Sequence, residues 1–113
     1  MSTTEELTLN SYQLLAKQTA TTNSKSLEYL VLGLNGEAGE VADQAKRVLR
    51  DDDGVLTISR KDRILGEMGD CLWYLASLAT FLETDLNDIA RQNLEKLLSR
   101  KNRSQLLGEG ENR

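Results

Sequence analysis

Apolar residues recur every three or four positions along most of the chain, the spacing of helices with one buried face. Leu9, Tyr12, Ala16 and Ala20 share such a face, predicting a first helix from Leu9 to about Ala20 with Thr8 as its cap. "TTNSKS" is a connector rich in turn residues. A second helix runs from near Ser26 to about Arg50, with Leu27, Leu30, Val31, Leu34, Val41, Ala45 and Val48 apolar. "DDDGVLTI" interrupts the pattern. A calcium loop fails there on register: with Gly54 sixth, Leu49 falls first and Arg60 twelfth, where acids are needed. The stretch reads as a loop with a short extended piece at Val55 to Ile58.

A third helix opens at Ser59, which with Asp62 has capping-box spacing, and runs to about Leu82. From Cys71 onward it is apolar nearly all round, as suits a central helix or a subunit interface. "ETD" turns into a fourth helix from Leu86 to about Asn102, with Leu86, Ile89, Ala90, Leu94, Leu97 and Leu98 inward, and 104–113 reads as a frayed tail. The expected fold is all-α, a four-helix bundle-like single domain over 1–113 with its core at about 8–103.

Within these helices one short motif is nearly written twice. "GEAGEVA" at Gly36 to Ala42 and "GEMGDCL" at Gly66 to Leu72 each place two acids three residues apart beside glycines. Residues three apart are neighbours on a helix face, so Glu37 with Glu40, and Glu67 with Asp70, form two clamps. Such pairs also decorate solvated faces, but mid-helix glycine costs about 1 kcal/mol relative to alanine. Four of them, Gly36, Gly39, Gly66 and Gly69, predict a close approach of two backbones that brings the clamps face to face. Gathered carboxylates repel unless cations sit among them.

Composition narrows the cation. The chain has no histidine, which removes histidine-based nucleophilic catalysis and most zinc sites. Oxygen ligands alone point to magnesium or manganese. The one cysteine, Cys71, permits no internal disulfide and reads as a small core residue. The N-terminus lacks a signal-peptide pattern and no run approaches ~18 apolar residues, so a cytoplasmic protein is expected, with neither membrane nor nucleic acid as partner. The net charge of −4 is uneven: 27–44 is acidic, whereas 91–103 carries Arg91, Lys96, Arg100, Lys101 and Arg103 against Glu95. Asn93, Lys96 and Arg100 share one face of the fourth helix, and Lys46 and Arg47 can also reach an anion. Trp73 and Tyr74 read as packing residues, with Tyr74, seven after Glu67, placed to border the acids.

An acid pair Glu-x-x-Glu followed by Glu-x-x-Asp on the next helix resembles the MazG-type all-α nucleoside triphosphate pyrophosphohydrolases. "LGLNGEAGEVADQAKR", "LGEMGDCLWYLASLA" and "ARQNLEKLLSR" are similar to that family in order and spacing, and "YQLLAKQTA" to the opening helix of its small members. Many members carry a double glutamate at the first motif, and Gly36 stands here in place of its first residue, which marks a compact subtype. The resemblance implies hydrolysis of (deoxy)nucleoside triphosphates to monophosphate and pyrophosphate, in the housekeeping of nucleotide pools. It implies that Glu37, Glu40, Glu67 and Asp70 hold magnesium, with Glu37 or Glu40 taking a proton in catalysis. It also implies that Asn93, Lys96, Arg100 and Lys46 contact the triphosphate, and that the chain forms a homodimer or a homotetramer built as a dimer of dimers. Two alternatives share these residues. A phosphoribosyl-ATP pyrophosphatase would be separated by complementation of a histidine auxotroph, and a non-catalytic helical nucleotide-binding module by absence of pyrophosphate release.

Overall fold

The computed structural model describes residues 6–22 and 26–103. Four α-helices account for nearly all of them: α1 (Leu9–Lys17), α2 (Leu27–Asp51), α3 (Ile58–Phe81) and α4 (Leu86–Asn102). The expected tail at 104–113 and the middle of the "TTNSKS" connector lie outside the described residues.

Each helix starts at a side chain that satisfies an orphaned backbone donor. Thr8 caps α1 through a reciprocal box, accepting from the Ser11 N–H at 3.0 Å while the Ser11 hydroxyl accepts from the Thr8 N–H at 2.9 Å. Ser26 caps α2 and Asp85 caps α4 in the same manner. At α3 the expectation is corrected: Thr57, not Ser59, is the cap, accepting from the Arg60 N–H at 3.0 Å. The start is set by a tertiary tie. The Arg60 guanidinium, in the first turn, donates to Asp52 at 2.8 Å and to Gln44 at 2.8 Å, drawing the helix start back against the end of α2. Val55 to Thr57 is an irregular connection, and Ile58 is already helical.

The first helix is also shorter than expected. After Lys17, the Thr19 hydroxyl donates to the Ala16 carbonyl at 2.7 Å and accepts from the Trp73 indole N–H at 2.7 Å, which takes the chain out of helical path before Ala20. The α3–α4 turn closes with Glu83 at φ 59 and the Thr84 N–H bonded to the Ala79 carbonyl at 2.9 Å, a Schellman-type stop that needs a left-handed residue.

Two long helices, α2 and α3, form an antiparallel hairpin with the most extensive contact in the chain, and the shorter α1 packs on the C-terminal half of α3. Gln13 fastens this corner: its amide donates to the Thr80 hydroxyl at 3.1 Å and the Thr84 carbonyl at 3.0 Å, and its oxygen accepts from the Leu86 N–H at 2.8 Å. The core there is built from Ala16, Ala76, Ala79 and Leu86, with Tyr12, Leu72 and Trp73 against it. Small alanine side chains let α1 and α3 approach closely.

The C-terminal run of α3 is less enclosed than its all-round apolarity predicts. Ala76 and Ala79 are buried, but Leu75, Phe81 and Leu82 are exposed. So are Leu94, Leu97 and Leu98 on α4, and Leu49, Val55, Leu56 and Ile58 at the hairpin tip. Among the described residues, no helix is long and apolar enough to cross a membrane.

Candidate functional site

The hairpin register decides which acids meet. Gln44 bonds Arg60 near the tip, and toward the other end Gly33 lies against Tyr74. Between these two contacts the acid motifs of α2 and α3 face one another. Glu37, Glu67 and Asp70 each offer a carboxylate oxygen, and all three oxygens lie within 4.8 Å of one another. Glu37 and Glu67 are half-buried and Asp70 is exposed. The fourth predicted ligand, Glu40, is exposed and stands outside this trio, close enough to act on Glu37 through its charge.

Electrostatics records the crowding. Burial raises the Glu37 pKa above its ordinary 4.5, and the charges of Asp70, Glu67 and Glu40, with a hydrogen bond to Glu67, push it the same way. A carboxyl raised in the folded state contributes stability that is fully present below its unfolded pKa and is lost as pH rises through the folded value. In chelator, Glu37→Gln should therefore gain on wild type in melting temperature as pH climbs past the ordinary glutamate range. Parallel melting curves from acid to neutral pH would check this, and a difference independent of pH would contradict it.

Three hard oxygen ligands at this spacing suit a divalent cation such as magnesium or manganese, and no softer donor joins them in the trio. Two tyrosines lie near enough to feel the charge of the trio. Tyr12 reaches toward Asp70 from α1, its pKa raised by burial and then by that charge. Tyr74 lies beside Tyr29, Glu37 and Asp70, and its pKa is raised by burial first and by these neighbours next. Trp73 meets Tyr74 edge-on, with centroids 5.0 Å apart and planes at 83°.

The glycines of the two acid motifs correct the expectation attached to them. A Cβ on Gly36, Gly39, Gly66 or Gly69 would meet nothing within 4 Å, so these four do not admit a close backbone within the chain. The close approach occurs one turn earlier, at Gly33, where a Cβ would lie 2.1 Å from a Tyr74 ring carbon.

The predicted anion-binding residues are more dispersed. Asn93 and Lys96 are exposed on α4, whereas Arg100 is only 6% exposed. The Lys46 ammonium is 3.2 Å from Asp43, which also takes the Arg47 guanidinium at 2.9 Å. Asp43 is held below the usual carboxylate range by its hydrogen bonds to Arg47 and Lys46.

Residues 25–104 match the MazG nucleotide pyrophosphohydrolase domain. The chain belongs to this family. The match takes in both acid motifs and all of α4, and begins after α1. The chain is also 42% identical over 109 residues to the Gene 37 protein of Mycobacterium phage L5, covering 90% of this chain and 96% of that one. No solved structure matches it. The MazG family is generally one of nucleotide pyrophosphohydrolases that depend on divalent metal, and the Glu37, Glu67 and Asp70 cluster could hold such an ion.

Sequence reasoning missed Tyr12, Tyr29 and Gly33. Tyr12 carried no signal beyond its place on an apolar face. Gly33 had one: it stands four residues before Glu37, as Asp70 stands four before Tyr74.

Proposed function

We propose that the protein hydrolyses (deoxy)nucleoside triphosphates to the monophosphate and pyrophosphate with magnesium, clearing unwanted nucleotides from the cellular pool. The convergence of Glu37, Glu67 and Asp70, in a chain of the MazG family, carries this reading. These three residues would hold the cation, which when bound orients the triphosphate, neutralises its charge and acidifies a water. Glu40, one turn from Glu37 and outside the trio, would complete the ligand set or, with Glu37, take the proton of the attacking water. The water oxygen bonds the α-phosphorus, the bridge to the β-phosphate breaks, and pyrophosphate leaves. No residue forms a covalent intermediate, in keeping with the absence of histidine. Asn93, Lys96 and Arg100 of α4, with Lys46 of α2, are assigned to the phosphates. Pyrophosphate release from a mixed triphosphate pool, with magnesium and with chelator, tests the proposal. Magnesium-dependent pyrophosphate is expected, and its absence would leave a helical binding module.

Assembly belongs to the same reading. The exposed leucines of α4 and the apolar hairpin tip suit two self-complementary contacts, and a cytoplasmic homodimer or dimer of dimers would cover them. Sedimentation should give two or four times the 12.6 kDa chain mass. A monomer at micromolar concentration would contradict the assembly.

A further inference from the structure

Resting on the metal-dependent reading above, we propose that Gln44 and Arg60 are positioning residues: their bond pins the lengthwise register of α2 against α3, and that register brings Glu37 to Glu67 and Asp70. The placement of the pair is regular. Gln44 follows Glu37 on α2 by seven residues, and Arg60 precedes Glu67 on α3 by seven. Seven residues return a helix to within ~20° of the same face and advance it by roughly 10.5 Å. The Gln44–Arg60 bond and the Glu37–Glu67 pair therefore stand in one antiparallel register, two turns apart along the same stripe of each helix.

The stretch that carries the acids does not lock itself. A Cβ on Gly36, Gly39, Gly66 or Gly69 would meet nothing within 4 Å, so nothing is seated against these glycines to stop one helix sliding past the other. The gathered carboxylates share one sign of charge, which favours their separation whenever no cation is bound. The contacts that hold the hairpin lengthwise lie to either side: the Tyr74 ring against Gly33 at one end and Arg60 against Gln44 at the other.

The chemistry of the pair suits this duty. Gln44 is 9% exposed and the Arg60 side chain 13%. Arg60 Nη1 donates to the Gln44 oxygen at 2.8 Å, while Nε donates to one oxygen of Asp52 at 2.8 Å and Nη2 to the other at 3.5 Å. Asp52, the C-cap of α2, thus steadies the guanidinium while its remaining arm reaches Gln44 two turns back. A rigid fork can hold both partners at once, as the single ammonium of a lysine cannot. Lys46, Arg47, Arg50 and Arg91 pair with acids of their own helices, whereas Arg60 joins α3 to α2. Its enclosure separates it from exposed ion pairs, which contribute little.

The test titrates the full chain with manganese alone, read by the spin resonance of the free ion, beside melting curves in chelator. Wild type should bind manganese and Glu67→Gln should not; binding that survives Glu67→Gln would sink the metal reading itself. Gln44→Ala, which keeps the Arg60–Asp52 pair, should weaken manganese binding about tenfold, the lower end for altering a group that supports metal ligands. Gln44→Glu, which keeps an acceptor oxygen for Arg60, should stay near wild type. Arg60→Lys, which keeps the charge and loses the fork, should resemble Gln44→Ala. Register is read without metal by spin labels at the exposed positions Ala38 and Met68 in a Cys71→Ser chain diluted with unlabelled protein. One narrow distance is expected with Gln44 in place and a broader spread in Gln44→Ala, and this readout separates the pin from the ion. A role confined to folding would lower the melting temperature of Gln44→Ala while leaving manganese affinity and label distance unchanged, and that result would overturn the inference. So would a Gln44→Glu chain that binds manganese as weakly as Gln44→Ala.

Discussion

Glu67→Gln should abolish nearly all turnover while leaving the metal-free protein at least as stable as wild type. The side chain keeps its shape and loses its charge, so the three-carboxylate group of Glu37, Glu67 and Asp70 becomes a poor cation site. Altering partners that only support metal ligands costs 10–100-fold, so losing a ligand should cost more than about a hundredfold. Stability moves the other way. Two like charges about 4 Å apart interact by on the order of 4 kcal/mol at an effective dielectric near 20, before screening, and the Glu37 pKa, raised first by burial, is raised further by the charges of Asp70, Glu67 and Glu40. In chelator the amide should therefore melt no lower than wild type. Wild type should gain melting temperature from magnesium, which binds only the folded state, and the variant should gain less. Acids that merely decorate the surface predict unchanged activity and unchanged metal response, so full activity with full magnesium stabilisation in Glu67→Gln would contradict the site.

The second large effect lies in the fold. Leu30 is 1% exposed, the largest side chain that is fully enclosed in the chain's described residues. The core is thin: among the described residues the other buried apolar side chains are Ala16, Ala76, Ala79 and Leu86, a cluster that does not include Leu30. Leu30→Ala should cost about 2–5 kcal/mol, since the lost transfer energy adds to a cavity that rigid helices cannot collapse. For a domain whose whole stability is about 5–15 kcal/mol, that is a drop in melting temperature of roughly ten degrees or more. Calorimetry would read it directly, and a shift of only a degree or two would mean that subunit contacts outside the single chain dominate stability.

Leu30 also shows what the sequence made legible. Its place on the apolar face of α2 was clear from spacing alone, as were the four helices and the bounds of α4. What spacing cannot supply is the register between helices. That register makes Thr57 the cap of α3 in place of Ser59, because Arg60 is drawn to Asp52 and Gln44, sixteen residues or fewer away in sequence but fixed only by folding. It also decides which glycine is needed. The repeated motif drew attention to Gly36, Gly39, Gly66 and Gly69, whereas the packed position is Gly33, which no repeat marks.

The site was legible to the same degree. Acid spacing singled out four carboxylates, of which Glu37, Glu67 and Asp70 converge while Glu40 stands outside their trio. Tyr12 packs against the alanines of α1 and α3, and there it feels the charge of Asp70. The face assumed for Asn93, Lys96 and Arg100 was a periodicity, and the fold buries its last member while the other two stay exposed.

The central claim is that water attacks the α-phosphorus of a nucleoside triphosphate at the Glu37, Glu67 and Asp70 trio. Turnover in ¹⁸O-labelled water with magnesium, followed by mass analysis of both products, tests it most directly. The account predicts pyrophosphate without label and a monophosphate carrying one labelled oxygen. Label in the pyrophosphate, or a diphosphate with labelled orthophosphate, would contradict it.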